Sequence, residues 1–161
     1  MEPPWYVAHT RPRAEKKVAE YFRQEGWTTE LPLYASLKVY RGKRVTFYKT
    51  LFPGYLFVRL PEGHIPRARQ NQHVAQILVP PDQAEFTDQL QAILAAVNGE
   101  REIRVAPAVV VGKSVRIIQG PLRGVEGVVV DRMGVLEVVL RLDFIGQGAA
   151  VRVAADELEL I

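Results

Sequence analysis

The 161-residue chain contains no cysteine. Disulfides, thiol catalysis and cysteine-based zinc sites are thereby excluded. No run approaches the roughly 18 apolar residues that a membrane-spanning helix requires. The opening Met1-Glu2-Pro3-Pro4-Trp5 lacks the basic and apolar regions of a signal peptide, so the expected location is cytoplasmic. Histidine is scarce too: only His9, His64 and His73. His64 and His73, nine apart in a polar stretch, lack metal-ligand spacing. No nucleophile motif and no phosphate loop is present. Neither enzymatic activity, a metal nor a cofactor is expected.

Acidic residues are missing where basic ones gather. Between Leu31 and Pro61 there are six basic residues (Lys38, Arg41, Lys43, Arg44, Lys49 and Arg59) and no acidic one. Overall the charge is +3, and the balance is uneven. Residues 1–106 hold 15 Lys and Arg against 11 Asp and Glu, whereas residues 107–161 hold 6 against 7. A local excess of this kind either attracts a polyanion or keeps a hairpin tip soluble, and charge alone does not choose between them.

What is present reads as two domains. Trp5 to His9 alternates as a strand, with Trp5, Val7 and His9 on one face. A helix follows from about Arg13 to Glu25, with Ala14, Val18, Tyr21 and Phe22 at helical spacing and Gly26 as its stop. Trp27 to Leu33 is extended, bent by Pro32. Ser36 to Tyr40 and Val45 to Tyr48 form the arms of a basic hairpin around Arg41-Gly42-Lys43-Arg44.

Leu51-Phe52-Pro53-Gly54-Tyr55-Leu56-Phe57-Val58 comes next. Pro53 and Gly54 turn the chain, and the apolar run after them suits a central strand buried on both faces. Leu56 and Val58 are expected in the core. Phe52, just before the bend, is expected to offer its ring to a groove, with a core position as the alternative.

Pro66 suits the first turn of a short polar helix. If that helix runs on, Arg67, Gln70 and Asn71 share one face. Arg, Gln and Asn are the side chains that pair with base edges, while an ordinary polar surface is the competing reading. Val74 to Val79 is a strand. Asp82 and Glu85 make a capping-box arrangement before a helix carrying Phe86, Leu90, Ile93, Leu94 and Val97. Strand, helix, strands, short helix, strand, helix describes an α+β domain over residues 1–98, its helices against an antiparallel sheet.

Residues 99–107, with Glu100, Arg101, Glu102 and Arg104 and no period, read as a linker. Residues 108–161 read as a small all-β barrel. Val109–Val111, Ser114–Ile118, Gly127–Asp131, Leu136–Leu142 and Ala150–Val153 are its short strands, punctuated by glycine.

Gly112 to Val129, with Gly120-Pro121 and the hinges Gly124 and Gly127, resembles the KOW motif. Preceded by the Phe-Pro-Gly-Tyr element, it makes essentially all of residues 5–161 similar to bacterial NusG-family transcription factors. The resemblance implies an N-terminal NGN domain and a C-terminal KOW barrel. Trp5-Tyr6-Val7 matches the family's opening strand, and Tyr40-Arg41-Gly42-Lys43-Arg44 is similar to the RfaH-type antitermination paralogues. Gly54 and Phe144-Ile145-Gly146 instead resemble the housekeeping NusG, so both remain open, with the paralogue preferred.

The resemblance implies a monomeric elongation factor, active in antitermination or termination, that binds the clamp helices of RNA polymerase. Phe52 and Tyr55 would line an apolar pocket with His9 at its rim. Arg11, Arg41, Lys43, Arg44, Arg67, Gln70, Asn71 and Gln72 would face nucleic acid, the non-template DNA strand in particular. The barrel would recruit Rho or a ribosomal protein of the small subunit through Leu122, Val125, Phe144 and Ile145. Phe144 is equally at home in a barrel core. A ribosomal or other RNA-binding KOW protein is the rival class. It leaves the first domain unexplained, and the barrel's slight negative charge is wrong for RNA.

Overall fold

The computed structural model describes residues 2–99, 101–107 and 109–161. Glu100, counted in the linker, and Ala108, the first residue assigned to the barrel, lie outside the described residues. The protein is α+β and its sheets are antiparallel. It divides into two compact units, residues 1–83 and 84–161.

In the first unit β1 (Trp5–Thr10), β2 (Thr29–Glu30), β5 (Tyr55–Arg59) and β6 (Val74–Leu78) form a sheet in the order β2-β5-β1-β6. Side chains alternate across a strand, so one face of β5 presents Leu56 and Val58. Against them pack Val18, Ala19 and Phe22 of α1 (Glu15–Gln24), together with Trp27 and with Ala68 of α2 (Ile65–Arg69). The expected buried central strand is therefore what forms: Leu56, Phe57 and Val58 have no solvent exposure.

β3 (Leu33–Tyr40) and β4 (Lys43–Thr50) form a separate two-stranded ribbon with eight cross-strand pairs. Its base is tied by the Leu51 N–H, which donates to the Pro32 carbonyl at 2.9 Å. Its tip is a two-residue turn, Arg41 (φ 51°) and Gly42 (φ 77°). Two successive left-handed residues match the right-handed twist of the arms.

The second unit begins in α3 (Gln83–Val97), whose Phe86, Leu90, Ile93 and Ala96 are buried. β7 (Ile103–Pro107), β8 (Lys113–Ile117), β9 (Glu126–Arg132), β10 (Val135–Leu142), β11 (Gln147–Arg152) and β12 (Leu158–Leu160) form one sheet in the order β12-β8-β9-β10-β11-β7. The Gln89 carboxamide joins α3 to the turn after β10. It donates to Asp143 Oδ2 at 2.9 Å and accepts the Asp143 backbone N–H at 2.9 Å.

Three expectations change. The stretch 99–107 is not a plain linker, because Ile103–Pro107 pairs with β11. Its alternating charges hid a strand that is held mainly by backbone bonds and ion pairs. Val109–Val111 forms no strand. Val110 alone turns inward, while Val111 is 98% exposed. β12, interleaved with glutamates, was missed, and it pairs with β8. Among the described residues no helix is long and apolar enough to cross a membrane.

Leu56→Ala is expected to destabilise the first unit by about 2–5 kcal/mol and Phe52→Ala by about 3–5 kcal/mol, because both remove fully buried groups. Val111→Thr should stay within about 0.5 kcal/mol. Urea denaturation of the three variants checks the ranking, and a Phe52→Ala protein as stable as the parent would refute it.

Candidate polymerase and nucleic-acid interfaces

His9 and Tyr55 are direct cross-strand partners of β1 and β5. Their rings stack at 4.9 Å with 17° between planes, and both are half-buried. The turn before β5 holds them there. Tyr55 N–H donates to the Phe52 carbonyl at 3.0 Å, and Thr10 N–H to the Gly54 carbonyl at 2.8 Å. Gly54 has φ +86°, a region in which a side chain is strained, so glycine is required for backbone conformation. A Cβ there would sit 3.6 Å from the His9 ring, an ordinary contact.

The expectation for Phe52 is corrected. Its ring is 1% exposed and meets Phe57 edge-on at 6.1 Å. The turn swings Phe52 inward against Phe57, while His9 and Tyr55 remain half-buried at the surface.

The ribbon carries Arg41, Lys43 and Arg44 at its exposed tip. Its register sorts the rest. Tyr34, Lys38, Tyr40, Lys43, Val45, Phe47 and Lys49 share one face, and Leu37, Val39, Arg44, Thr46 and Tyr48 share the other. Lys38 Nζ lies 6.0 Å from the Phe47 ring centre and the Arg41 guanidinium 5.7 Å from that of Tyr40. Tyr40 is 65% exposed. Reading for charge alone overlooked Tyr34, Tyr40 and Phe47, although the period of two along each arm was there to sort them. Interleaved cations and exposed rings are the chemistry that holds a phosphate backbone and stacks bases.

Arg11 and the backbone of Gln72 are brought together. Arg11 Nε donates to the Gln72 carbonyl at 3.0 Å, and its backbone N–H to the His73 carbonyl at 2.8 Å. The single face of Arg67, Gln70 and Asn71 does not form, because α2 ends at Arg69. Asn71 Oδ1 instead accepts the His73 N–H at 2.8 Å, a local turn that competes successfully with the helix. Arg67 pairs with Glu25 at 3.4 Å. Arg69, Gln70 and Gln72 are left exposed.

In the second unit Leu122 is corrected from surface to core, at 2% exposure. Its carbonyl accepts the Val125 N–H, folding the loop so that the leucine points inward and Val125 is half-buried. Phe144 is at the surface, its ring edge-on to Phe86 at 6.2 Å, and Ile145 is half-buried. Arg141 grips Asp143 with two bonds of 2.8 and 2.9 Å and, with help from Gln89, holds its carboxyl below the ordinary value against the opposing effect of burial.

A family model described as transcription termination factor nusG matches residues 3–116, well over half of the chain. The chain belongs to the NusG family. No individual curated protein matches it. NusG-family proteins are non-enzymatic transcription factors that bind RNA polymerase, and this chain is a transcription elongation or termination factor of that kind. The match covers the whole first unit from Pro3 and ends in β8. His9, Tyr55, the ribbon and the Arg11 loop of this NusG-family protein therefore all lie inside it.

The carboxylates of the second unit make its stability depend on acid. The Arg101 guanidinium, helped by the Ala154 N–H, holds Glu157 at about 2, below its ordinary 4.5. Glu137 and Asp143 are lowered as well. A lowered folded value gives stability that is fully present above about pH 4.5 and is lost as pH falls toward about 2. Melting temperature followed through that window should drop, and Glu157→Gln should lessen the drop. Superimposable acid curves for parent and variant would overturn this account.

Proposed function

We propose that the first unit docks on the clamp helices of RNA polymerase through Tyr55 and His9, with Phe52 supporting them from the core. The stacked His9–Tyr55 pair carries this reading. It is a half-exposed aromatic surface next to a turn that requires glycine, and such residues dominate the energetics of small interfaces. Holding a mobile clamp in its closed state requires only differential affinity for two conformations. Suppression of pausing follows from a population shift without catalysis.

We assign the ribbon, with Arg41, Lys43 and Arg44, and the exposed Arg11, Gln70 and Gln72 to nucleic acid, the displaced non-template DNA strand being the preferred partner. A surface reading one DNA signal would make the protein an operon-specific antitermination paralogue of the RfaH type. Gly54 favours the general NusG factor as the second reading. In either case the first unit corresponds to the NGN domain, and the KOW domain takes in β7 together with residues 108–161. The KOW domain recruits Rho or a small-subunit ribosomal protein through Val125, Phe144 and Ile145, with Leu122 shaping the loop. The connecting residues let both partners bind at once, as a cytoplasmic monomer.

Tyr55→Ala should weaken binding to polymerase by about 1–3 kcal/mol without unfolding the first unit. Unchanged affinity would remove the docking assignment. Gln72→Ala should abolish preference among elongation complexes that differ in non-template sequence. Lys43→Ala should weaken all of them alike and lower the salt slope by about 0.7–0.9. Equal recruitment to every sequence by the parent protein would leave the general factor as the better description.

A further inference from the structure

The two faces of the β3–β4 ribbon are not alike. The pairs Tyr34–Lys49, Ser36–Phe47, Lys38–Val45 and Tyr40–Lys43 put three aromatic rings and three lysines on one face. The other face carries Leu37, Val39 and Tyr48, with Arg44 as its one cation. A polyanion is therefore drawn to the first face, and the absence of any acidic residue between Leu31 and Pro61 leaves nothing on the ribbon to oppose it.

Spacing on that face suits flat rings. Side chains two residues apart on an antiparallel strand are separated by about 7 Å. Phe47 lies diagonally across from Tyr34, one such step nearer the tip, and diagonal neighbours of this kind are about 7–8 Å apart. That is about twice the ~3.4 Å rise per nucleotide along a strand of a double helix, which leaves room for one base between the two side chains. Tyr40, 65% exposed, offers a further ring near the tip, and Phe47 is 46% exposed.

These rings have cations for neighbours. Lys38 Nζ lies 6.0 Å from the Phe47 ring centre and the Arg41 guanidinium 5.7 Å from that of Tyr40. Among the described residues none of Tyr34, Tyr40 and Phe47 pairs with another aromatic ring, whereas Tyr21, Phe22 and Trp27 pack on one another beneath α1. A tip that needed only solubility would carry the lysines without the rings. Bases in a duplex are already stacked on their neighbours, so ring faces left open to solvent select unpaired ones.

We propose that the Tyr34–Phe47–Tyr40 face is a stacking platform for single-stranded nucleic acid. One base lies between Tyr34 and Phe47, another lies on Tyr40, and Lys38, Lys43 and Lys49 hold the phosphates that link them. The platform reads no base identity, because every base has a face to stack. This rests on the assignment of the ribbon to nucleic acid and adds that base stacking, beyond charge, sets a preference for unpaired strands.

Binding of short oligomers to the full chain at about 50 mM salt tests it. A labelled oligothymidine should bind at least about fivefold more tightly than an abasic oligomer of the same length, the lower end of what one stacked base contributes. Phe47→Leu and the more exposed Tyr40→Leu should each weaken the oligothymidine by about that factor and leave a duplex of the same length unchanged. Oligouridine should respond as oligothymidine does, since DNA and RNA strands share the unpaired bases and phosphates that the platform uses. Tyr48→Leu, on the opposite face, should change nothing. Equal binding of the abasic oligomer would overturn the proposal, and so would equal losses on single strand and duplex, a response by only one of the two oligonucleotides, or a Tyr48→Leu effect as large as that of Tyr40→Leu. If stacking fails in this way while Lys43→Ala still weakens every oligomer, the assignment of the ribbon to nucleic acid stands without the platform. If no oligomer binds the parent, both fall.

Discussion

The β1–β5 ladder is the constraint on which the first unit depends. Its register sets Val7 against Phe57 and His9 against Tyr55. Because side chains alternate, the same register sends Leu56 and Val58 to the helix-covered face and Tyr55 to the opposite one. A slip of one residue would exchange the side chains of the two faces and break the His9–Tyr55 stack. The Pro53-Gly54 turn stands immediately before this ladder, and the Thr10–Gly54 bond continues the pairing into the turn. Val7 and Phe57 are fully buried on the Tyr55 face as well, so both faces carry core and the candidate docking pair is the half-buried part of one of them.

The ribbon follows a different rule. It buries little, so its form depends on the turn at Arg41-Gly42 and on cross-strand bonds. A solvent-facing hairpin with aromatic rings and no acidic residue is poorly optimised for solubility alone. Its positive field and its stackable rings lie on the same short element, which is the arrangement a flexible polyanion rewards.

The second unit shows how ion pairs compensate for small side chains. Gly148, Ala149 and Ala150 make β11 thin enough for close neighbours on both sides, but thin strands bury little apolar area. A Cβ at Gly148 would come within 2.7 Å of the Leu140 carbonyl, so the strand has no room to become larger. Arginine–glutamate pairs at Glu137 and Glu157 fasten the periphery instead. Their carboxylates are accordingly sensitive to acid, whereas the apolar strands beneath are not.

Periodicity in the sequence was enough to locate α1, α3, the hairpin and the buried run of β5, since each depends on residues within one or two turns of chain. The motif order from Trp5 through the KOW segment was likewise enough to identify the family. Pairing decided the rest. Phe52 faces inward because a turn closed by distant strands swings it there. Leu122 faces inward because its loop folds back on β8. Asn71 is drawn into a local turn where a continued helix would have left it free. Ile103–Pro107, with no apolar period, becomes a strand because β11 offers an edge and Glu137 a counter-charge. Local propensity is written residue by residue, but an edge, a buried carboxylate or a closed turn exists only once segments far apart in the chain have met.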